Sequence, residues 1–410
     1  MDARQERGLQ IAATVKLTKT DKGYLVPSQT GKGLYLVNKN GQDALCTCPD
    51  FEARREPCKH IYAVEFVIQR EENPDGSVTY TKRVTYTQQW TAYNQAQTHE
   101  GEQFERLLRA LCGGIQQPEQ EGRGRRRHLV ADVVFALAAR TYAMKSGRRF
   151  MSGLVEAKVD GCVSKAVSYN SGFDYLENPA LTPILKALIA DTAEPLKAAE
   201  TDFAADSTGF GTTTYDRWFD QKWGKARSEA RFIKTHIMTG VKTNIITAVE
   251  ATITQSSDVR QLPYLVTETA KQFTVKEVSA DKGYSGRSSY HAVDVVGGVA
   301  YIPFLKQSTG MPNARRKFDP LWNKMHAYYH FQRADFEAHY HKRSNVESTF
   351  SMVKAKFGGS VRAKTPTAQI NEVLLKILCH NIVVLIASIY ELGIEPIFRA
   401  EQAVARQEVA

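Results

Sequence analysis

The order of apolar segments after residue 200 constrains the fold more than any other feature of this sequence. Three β-rich runs follow one another, "TDFAADSTG", "RFIKTHIMTG" and "TNIITAVEATI". Helical and strand-like segments then alternate through "SDVRQLPYLVTETAKQF", "TVKEVSADKGYSG" and "VAYIPF". Three strands followed by alternating helices and strands describe a mixed sheet covered by helices. The fold class expected here is therefore α/β (α+β).

Two of these strands end in an aspartate followed by small or polar residues. Asp206 lies in "FAADSTGFG" and Asp281 in "EVSADKGYSG". In open α/β sheets such strand ends line the ligand crevice, so the two carboxylates are expected to meet there. Either aspartate alone is more simply explained as a turn or a helix cap. Two such sites, with an acidic residue on a later helix, favour a functional interpretation.

The segment "HYHKRSNVESTFSMVKAKF", residues 339 to 357, predicts a helix with a polar strip beside an apolar one. At 100° per residue, a sector of about 60° contains Tyr340, Arg343, Glu347 and Lys354. The adjoining core-facing stripe consists of Val346, Phe350, Val353 and Phe357. The helix is thus expected to be anchored on one side and to present ordered charge on the next. A solvated face is the plain alternative.

Three carboxylates in one crevice would repel one another and would also repel a phosphate. Hard divalent cations such as Mg²⁺ prefer oxygen ligands. Two such ions about 4 Å apart can hold the attacking and leaving oxygens of a phosphodiester in line. Bound cations would therefore offset the repulsion among the carboxylates and allow the cluster to bind a phosphodiester.

The polar strip also resembles a family motif. Tyr340-x2-Arg343-x3-Glu347-x6-Lys354 has the spacing of the Tyr-Arg-Glu-Lys signature of bacterial insertion-sequence transposases of the DDE superfamily. "ADSTGF" and "ADKGY" resemble the blocks around the two catalytic aspartates of that superfamily. The resemblance covers roughly residues 200 to 390 and implies an RNase H-like catalytic core.

The resemblance also implies roles for individual residues. The residues implied to be catalytic, and to bind two Mg²⁺ or Mn²⁺ ions, are Asp206, Asp281 and Glu347. The residues implied to contact backbone phosphates are Tyr340, Arg343 and Lys354. Lys282 and Lys342 are basic neighbours without an assigned role.

A second candidate site lies in "CTCPDFEARREPCKH", near the other end of the chain. It supplies the ligand set Cys46, Cys48, Cys58 and His60. Four soft or borderline ligands within fifteen residues suit a closed, tetrahedral, structural Zn²⁺. Three buried thiols with an incidental histidine are less favoured, because both ligand pairs have i, i+2 spacing. The pattern is similar to the SWIM zinc finger, a small module associated with DNA or protein binding, which implies a ββα arrangement.

The remaining candidates are assigned to packing. Cys112, Cys162 and Cys379 have no partners at metal spacing and are expected in the core. His236 is interpreted as a core or sheet histidine rather than as a general base. Trp218 and Trp223 are interpreted as packing residues, with stacking on an unpaired base as the alternative.

The net charge of the chain indicates the kind of partner it binds, and its hydropathy indicates where in the cell it acts. Lys and Arg number 54 against 44 Asp and Glu, a net charge of +10 that favours polyanionic partners. The first ten residues contain no apolar segment of the secretory type. The run "VLLKILCHNIVVLIASIY", residues 373 to 390, predicts a buried helix that begins at Thr365 and Pro366 and ends at Gly393. We therefore expect a cytoplasmic protein without a membrane span, whose cysteines are thiols or metal ligands.

The two resemblances, together with shifts in composition, imply five regions. They are a SWIM-like zinc module at 1–70, a linker region with a short helix and a basic segment at 71–128, a helical region that could bind DNA at 129–200, the RNase H-like catalytic domain at 201–390, and a C-terminal tail at 391–410. A helical bundle without a ligand is the plain alternative for the third region.

The function predicted from these features is DNA transposition. The chain would bind the terminal inverted repeats of its own insertion sequence, cleave the ends and join the 3′-hydroxyls to target DNA. Its partner would be double-stranded DNA, and synapsis of two ends implies a homodimer or higher assembly, associated with the bacterial nucleoid during action. Two alternatives remain: a zinc-dependent DNA-binding regulator that has lost catalysis, and an RNase H-like nuclease without strand transfer.

Overall fold

The computed structural model of the chain divides into two units, residues 1–88 and 89–410. The described residues are 3–14, 17–20, 22–28, 33–40, 43–68, 70–72, 78–80, 89–120, 122, 124, 126–212, 232–253, 256–310 and 318–398. Each unit has its own cluster of buried apolar side chains.

The N-terminal unit is a four-stranded antiparallel sheet with three helices. The helices are α1 (Ala3–Thr14), α2 (Pro49–Arg54) and α3 (Lys59–Ile68). The strands, in spatial order, are β1 (Thr18–Thr20), β2 (Gly23–Pro27), β3 (Leu34–Asn40) and β4 (Asp43–Cys46). A separate hairpin follows, made of β5 (Arg70–Glu72) and β6 (Val78–Tyr80). The pairing of β3 with β4, followed by α3, agrees with the ββα arrangement that the zinc-finger resemblance implied.

Glycine at position 8 allows α1 and α3 to cross closely. A Cβ there would lie 2.6 Å from the Tyr62 Cβ and 2.9 Å from the Lys59 carbonyl oxygen. Since real Cβ contacts are longer than this, any larger residue would push the helices apart.

The second unit begins with helices that pack on its sheet and on its long C-terminal helix. These are α4 (Trp90–Thr98), α5 (Glu100–Gly113), α6 (Val130–Tyr142), α7 (Gly147–Val159), α8 (Tyr169–Leu176) and α9 (Leu181–Ala193), followed by a 3₁₀ turn, Glu194–Leu196. Their apolar stripes share one buried cluster with the sheet, running from Ala96 to Phe398. The expected linker over 71–128 thus contains two helices, and residues 128 and 200 both fall inside one unit. The functional division into domains stays a prediction.

The sheet of this unit has five strands in the order β11-β10-β7-β8-β9. They are β7 (Asp202–Gly211), β8 (Phe232–Gly240), β9 (Ile246–Thr252), β10 (Glu277–Ala280) and β11 (Val299–Tyr301). The first three in sequence pair antiparallel, β10 pairs parallel with β7, and β11 pairs parallel with β10. The crossovers are α10 (Asp258–Ala270) and α11 (Arg287–Val295). This arrangement confirms the mixed sheet flanked by helices.

The segment predicted as one helix over residues 339 to 357 is not uniform. It comprises the end of α13 (Arg333–Tyr340), which follows α12 (Pro320–Phe331), then a 3₁₀ turn at His341–Arg343, then α14 (Ser344–Phe357). The prediction of an unbroken α-helix was wrong, because the turn tightens to 3.0 residues per turn where Lys342 and Arg343 bond to the sheet. The predicted apolar stripe on α14 is confirmed, because all four of its members are buried.

The last helix, α15 (Pro366–Leu392), confirms the boundaries predicted from sequence. Thr365 precedes it, Pro366 occupies its first turn, and Gly393 ends it in a left-handed conformation with φ 64°. It is long and apolar enough to cross a membrane, but 78% of its most apolar window is buried inside the protein. Core helices of soluble proteins have the same character, so α15 is weak support for a membrane span.

Candidate active site and metal centre

The register of two parallel strands brings the two aspartates together. Glu277 lies opposite Asp202, and the last pair of the ladder is Ala280 with Ala205. The next position along both strands is Asp206 and Asp281, and neighbouring strands lie about 4.8 Å apart. Paired positions point to the same face, so both carboxylates face the same side of the sheet.

Asp206 is held by hydrogen bonds from two directions. Its Oδ1 accepts from the Ser207 backbone N–H at 2.8 Å, and its Oδ2 accepts from Arg343 Nη1 at 3.3 Å. The pKa of Asp206 is raised, first by burial and then by the nearby carboxylates of Asp281 and Glu347; Ser207 and Arg343 oppose the shift. The three acidic groups therefore act on one another.

Glu347 reaches this centre through Arg343. Arg343 Nη2 donates to Glu347 Oε1 at 2.6 Å, so one guanidinium joins a sheet carboxylate to a helix carboxylate. Burial opposes the charged form of Arg343, but the surrounding acidic groups outweigh it and raise its pKa. The Glu347 side chain is 58% exposed and faces solvent, whereas Asp206 is 19% exposed.

This donor set fits divalent cations. Three carboxylates supply only oxygen ligands, the kind that Mg²⁺ and Mn²⁺ prefer. Arg343 already supplies positive charge between two of them. The carboxylates are more widely spaced than a compact metal cluster: among the described residues, ligand atoms all within 4.8 Å of one another occur at the cysteines discussed below.

The other members of the predicted strip lie around this centre. Tyr340 is half-buried, with the Arg343 guanidinium 5.9 Å from its ring centroid. Lys354 donates from Nζ to Thr208 Oγ1 at 2.6 Å, two residues beyond Asp206 on β7. Lys282 is exposed beside Asp281, whose carboxylate accepts the Gly283 N–H at 2.8 Å.

Lys342 has a structural role that the sequence did not reveal. Its Nζ donates at 2.6 Å to Asp202 and at 2.6 Å to Glu277, the first residues of β7 and β10. His339 Nδ1 lies 2.9 Å from the same Glu277 carboxylate. Lys342 thus binds the turn before α14 to both β7 and β10. These contacts position Arg343 and Glu347, which follow in the sequence. The contacts span about 140 residues, so no local pattern predicts them.

We expect Lys342→Met to lower both the melting temperature and the rate of metal-dependent DNA cleavage. Asp202 and Glu277, both one third or less exposed, would lose their lysine partner, and only Glu277 would keep His339, a cost of about 1–2 kcal/mol after allowance for solvent. Thermal unfolding and single-turnover cleavage measure the two effects. Lys324→Met, on the exposed side of α12, is the matched control. Equal melting temperatures for the two variants would contradict the proposal that Lys342 holds the turn before α14 against the sheet.

A buried polar network lies behind the aspartates. His236 is fully buried, with Nδ1 3.1 Å from the Tyr284 hydroxyl and Nε2 3.3 Å from Ser256 Oγ. Burial lowers its pKa to about 4, so it is a neutral sheet histidine, as predicted. Asp258, which sequence reasoning missed, accepts from Lys234 Nζ at 2.6 Å. Trp218 and Trp223 lie outside the described residues.

The four predicted zinc ligands converge at one point of the N-terminal unit. Cys46 ends β4, Cys48 caps α2, and Cys58 and His60 lie at the start of α3. All four are buried, and their ligand atoms lie within 4.8 Å of one another. His60 Nδ1 is 3.9 Å from Cys46 Sγ and 3.8 Å from Cys58 Sγ. Ligands of a tetrahedral zinc–thiolate site are separated by about 3.8 Å, so the set fits Zn²⁺.

The clustered thiols alter one another's ionisation. A hydrogen bond from the Cys46 thiol, with a further one from His60, lowers the pKa of Cys58 to about 3. The same interaction and burial raise the pKa of Cys46. Of the other cysteines, Cys112 and Cys379 are buried and Cys162 packs half-buried against the core, in agreement with their predicted packing roles.

Comparison with known proteins gives a family match over the range of each candidate site. Residues 197–382 match the family described as "Transposase DDE domain", a range that includes the whole five-stranded sheet and all three carboxylates. Residues 35–69 match "SWIM zinc finger". These matches support a transposase-type DDE domain preceded by a SWIM zinc finger.

A solved structure is also similar in part. It is described as a piggyBac transposase synaptic complex with hairpin DNA, is 12% identical and has a TM-score of 0.34, with 76% of this chain and 77% of that chain covered. Comparison with curated proteins gives no match.

Proposed function

We propose that this chain is a bacterial insertion-sequence DDE transposase with the Tyr-Arg-Glu-Lys signature. It binds the terminal inverted repeats of its own element, cleaves the ends and joins the 3′-hydroxyls to target DNA. The observation that carries the proposal is the placement of Asp206 beside Asp281 in register, with Arg343 linking Asp206 to Glu347. The match to the DDE domain family spans all of these residues.

The strand order supports an RNase H-like fold for the catalytic domain. Three antiparallel strands are followed by two that add in parallel beside the first. The aspartates then lie on the central strand and its parallel neighbour, at the crevice expected of such sheets. We infer functional regions of 201–390 for catalysis, 1–70 for the zinc module, 129–200 as a possible DNA-binding region, 71–128 as a connection, and 391–410 as a tail.

Asp206, Asp281 and Glu347 would hold two Mg²⁺ or Mn²⁺ ions. When bound, these ions supply the charge that activates the nucleophilic hydroxyl and stabilises the leaving oxygen. If the metal ions neutralised the carboxylates, Arg343 would no longer have to balance their charge. Its guanidinium could then donate hydrogen bonds to a phosphate of the cleaved strand. Tyr340 and Lys354, on either side of Arg343, extend the phosphate contacts along the strand.

The thiol–imidazole cluster would hold a structural Zn²⁺, since four protein ligands leave no open coordination position. The SWIM-like module and the helical region are proposed to recognise the element ends. Synapsis of two ends requires at least a homodimer. Action on chromosomal DNA places the protein in the bacterial cytoplasm, at the nucleoid.

Cleavage of the element's own ends tests this function. Full-length protein, a labelled duplex spanning the element boundary, and a target plasmid are incubated with Mg²⁺, with Mn²⁺ or with neither. We expect nicks at the boundary with either metal, and labelled strands joined to the plasmid. Nicks without joined products would favour the nuclease alternative. Specific binding without cleavage under either metal would favour the regulator.

A further inference from the structure

A cavity of about 440 Å³ opens in the second unit, beyond the end of the strand that carries Asp206. Gly358 and Ser360 line it, and their segment pairs with Gly211, the last residue of β7. Its volume lies in the range of ligand pockets. None of the residues assigned above to catalysis or metal binding lines it.

The lining of this cavity is strongly positive. The cationic side chains around it are Arg140, Lys145, Arg362, Lys364 and Lys376. The acidic ones are Glu177 and Glu372. The Glu372 carboxylate is occupied by backbone N–H groups, which donate to it from Arg362 and Ala363 at 2.8–3.0 Å. Glu372 keeps its negative charge, which favours the charged forms of Arg140 and Lys376. Five cations against two carboxylates still leave the lining with an excess of positive charge.

Four of these cations have no carboxylate partner among the described residues. Arg140, Lys145, Arg362 and Lys364 form no ion pair there. Arg140 Nε is buried without a hydrogen-bond partner. Lys376 donates to the carbonyl oxygens of Gly358 and Ser360 at 2.9 and 2.6 Å. Burial lowers the pKa of Lys376 to about 8; Glu372 opposes this shift and the charge of Arg362 adds to it. Lys145, Arg362 and Lys364 are exposed, whereas Arg140 is half-buried, so the cost of charge without a carboxylate partner falls mainly on Arg140 and would be offset by a bound anion.

One apolar residue that lines the same cavity has a strained backbone conformation. Met144 is 43% exposed and has φ 56°, in the left-handed region that disfavours non-glycine residues. Such strain persists where surrounding structure imposes it, and it clusters at ligand sites. A flexible thioether beside unpaired cations suits a ligand with an anionic and an apolar part.

A chain of cations connects the cavity to the proposed active site. Lys354 and Lys376 lie 5.5 and 5.7 Å from the centroid of the Phe210 ring. Ten residues of α14 separate Glu347 from Phe357 at the cavity wall, a distance of about 15 Å. A DNA strand rises about 3.4 Å per nucleotide, so this distance corresponds to about four or five nucleotides.

We propose that this cavity binds one phosphodiester group, with its attached deoxyribose, of the DNA strand that enters the catalytic site. The cations that form no ion pair receive the phosphate, including Arg140, whose guanidinium also lies 5.3 Å from the centroid of the Phe173 ring, and Met144 contacts the sugar. The cavity would thereby fix the strand at a second point away from the cleaved bond. This inference rests on the proposed transposase function.

Site-directed disulfide cross-linking tests the proposal. Met144→Cys is made in full-length Glu347→Gln protein, which should bind DNA without cutting it. It is mixed with element-end duplexes that carry a thiol-tethered base at successive positions. Val159→Cys, 82% exposed at the far end of α7, is the matched control. We expect cross-linking to peak about four or five nucleotides from the scissile phosphate, at least about fivefold above the control because the thiols are held together.

A charge variant provides the second measurement. Arg362→Ala with Lys364→Ala removes two exposed side chains and leaves the backbone contacts of Glu372 intact. We expect it to abolish the cross-linking peak and to reduce the salt dependence of end binding by about one phosphate contact. The control is Lys158→Ala with Lys324→Ala, two exposed lysines away from the cavity.

The outcomes separate this inference from the function on which it rests. Protein that binds the end duplex but cross-links no better than the Val159→Cys control would overturn the cavity assignment alone. Failure to bind the duplex at all would overturn both. A free deoxynucleoside monophosphate that protects Met144→Cys from alkylation, with no cross-linking to DNA, would assign the cavity to a small ligand and also overturn the proposal.

Discussion

Replacement of Glu347 by glutamine is expected to slow boundary cleavage by roughly 1000-fold while end binding stays nearly unchanged. The amide keeps the size of the side chain but removes a negative charge and one oxygen of the proposed metal-ligand set. The loss of one preorganised electrostatic contact at a reacting centre costs about 100- to 1000-fold, and loss of a metal ion costs more. Because the side chain is 58% exposed, the substitution should leave the fold intact.

Asp206→Asn should have an equal or larger effect on the cleavage rate. Asp206 lies on the central strand, is 19% exposed and is the carboxylate that Arg343 links to Glu347. Single-turnover cleavage of the labelled boundary duplex, with binding followed separately by fluorescence anisotropy, measures both variants. Glu337→Gln, on the exposed surface of α13, is the matched control and should cut like wild type. Undiminished cleavage by Glu347→Gln or Asp206→Asn would remove the triad from the mechanism.

Local patterns predicted the parts of the catalytic unit that are determined locally. The β-rich runs around Asp206 and Asp281 form strands, and the mixed sheet follows from their order in the chain. The ends of α15 could be predicted from sequence because proline favours the first turn of a helix and glycine favours the position just after its last turn. The stripe of Val346 and Phe350 faces the core as its spacing indicated.

The features that escaped prediction depend on contacts between distant segments. The 3₁₀ turn before α14 carries Lys342, whose partners on β7 and β10 are remote in sequence. Asp258 looks like an ordinary first residue of a helix until β8 brings Lys234 against it. The segment around α5 was predicted to be part of a linker. Its apolar stripe is buried by α6 and α15, which are distant in sequence, so local patterns could not show that it belongs to the core.

The N-terminal unit differs, because its predicted ligands form much of its core. Among the described residues of this unit, the buried apolar cluster has ten members, three of which are Cys46, Cys48 and Cys58. Small units with so little apolar burial commonly depend on a bound metal. Structural zinc contributes about 10–16 kcal/mol of apparent binding free energy in finger peptides. Loss of one ligand should therefore unfold this unit rather than merely weaken it.

We expect Cys58→Ser to retain less than about a tenth of the zinc of wild type, because the lost thiolate is one of four ligands and binding is coupled to folding. Elemental analysis of purified full-length protein gives the zinc content, and limited proteolysis reports folding of residues 35–69. Residues 89–410 have a separate buried cluster, so their thermal transition should persist. Cys162→Ser, at a half-buried cysteine outside the cluster, should keep one zinc per chain. Equal zinc content in the two variants would show that Cys58 is not a ligand, and the plain alternative of buried thiols with an incidental histidine would then account for the cluster.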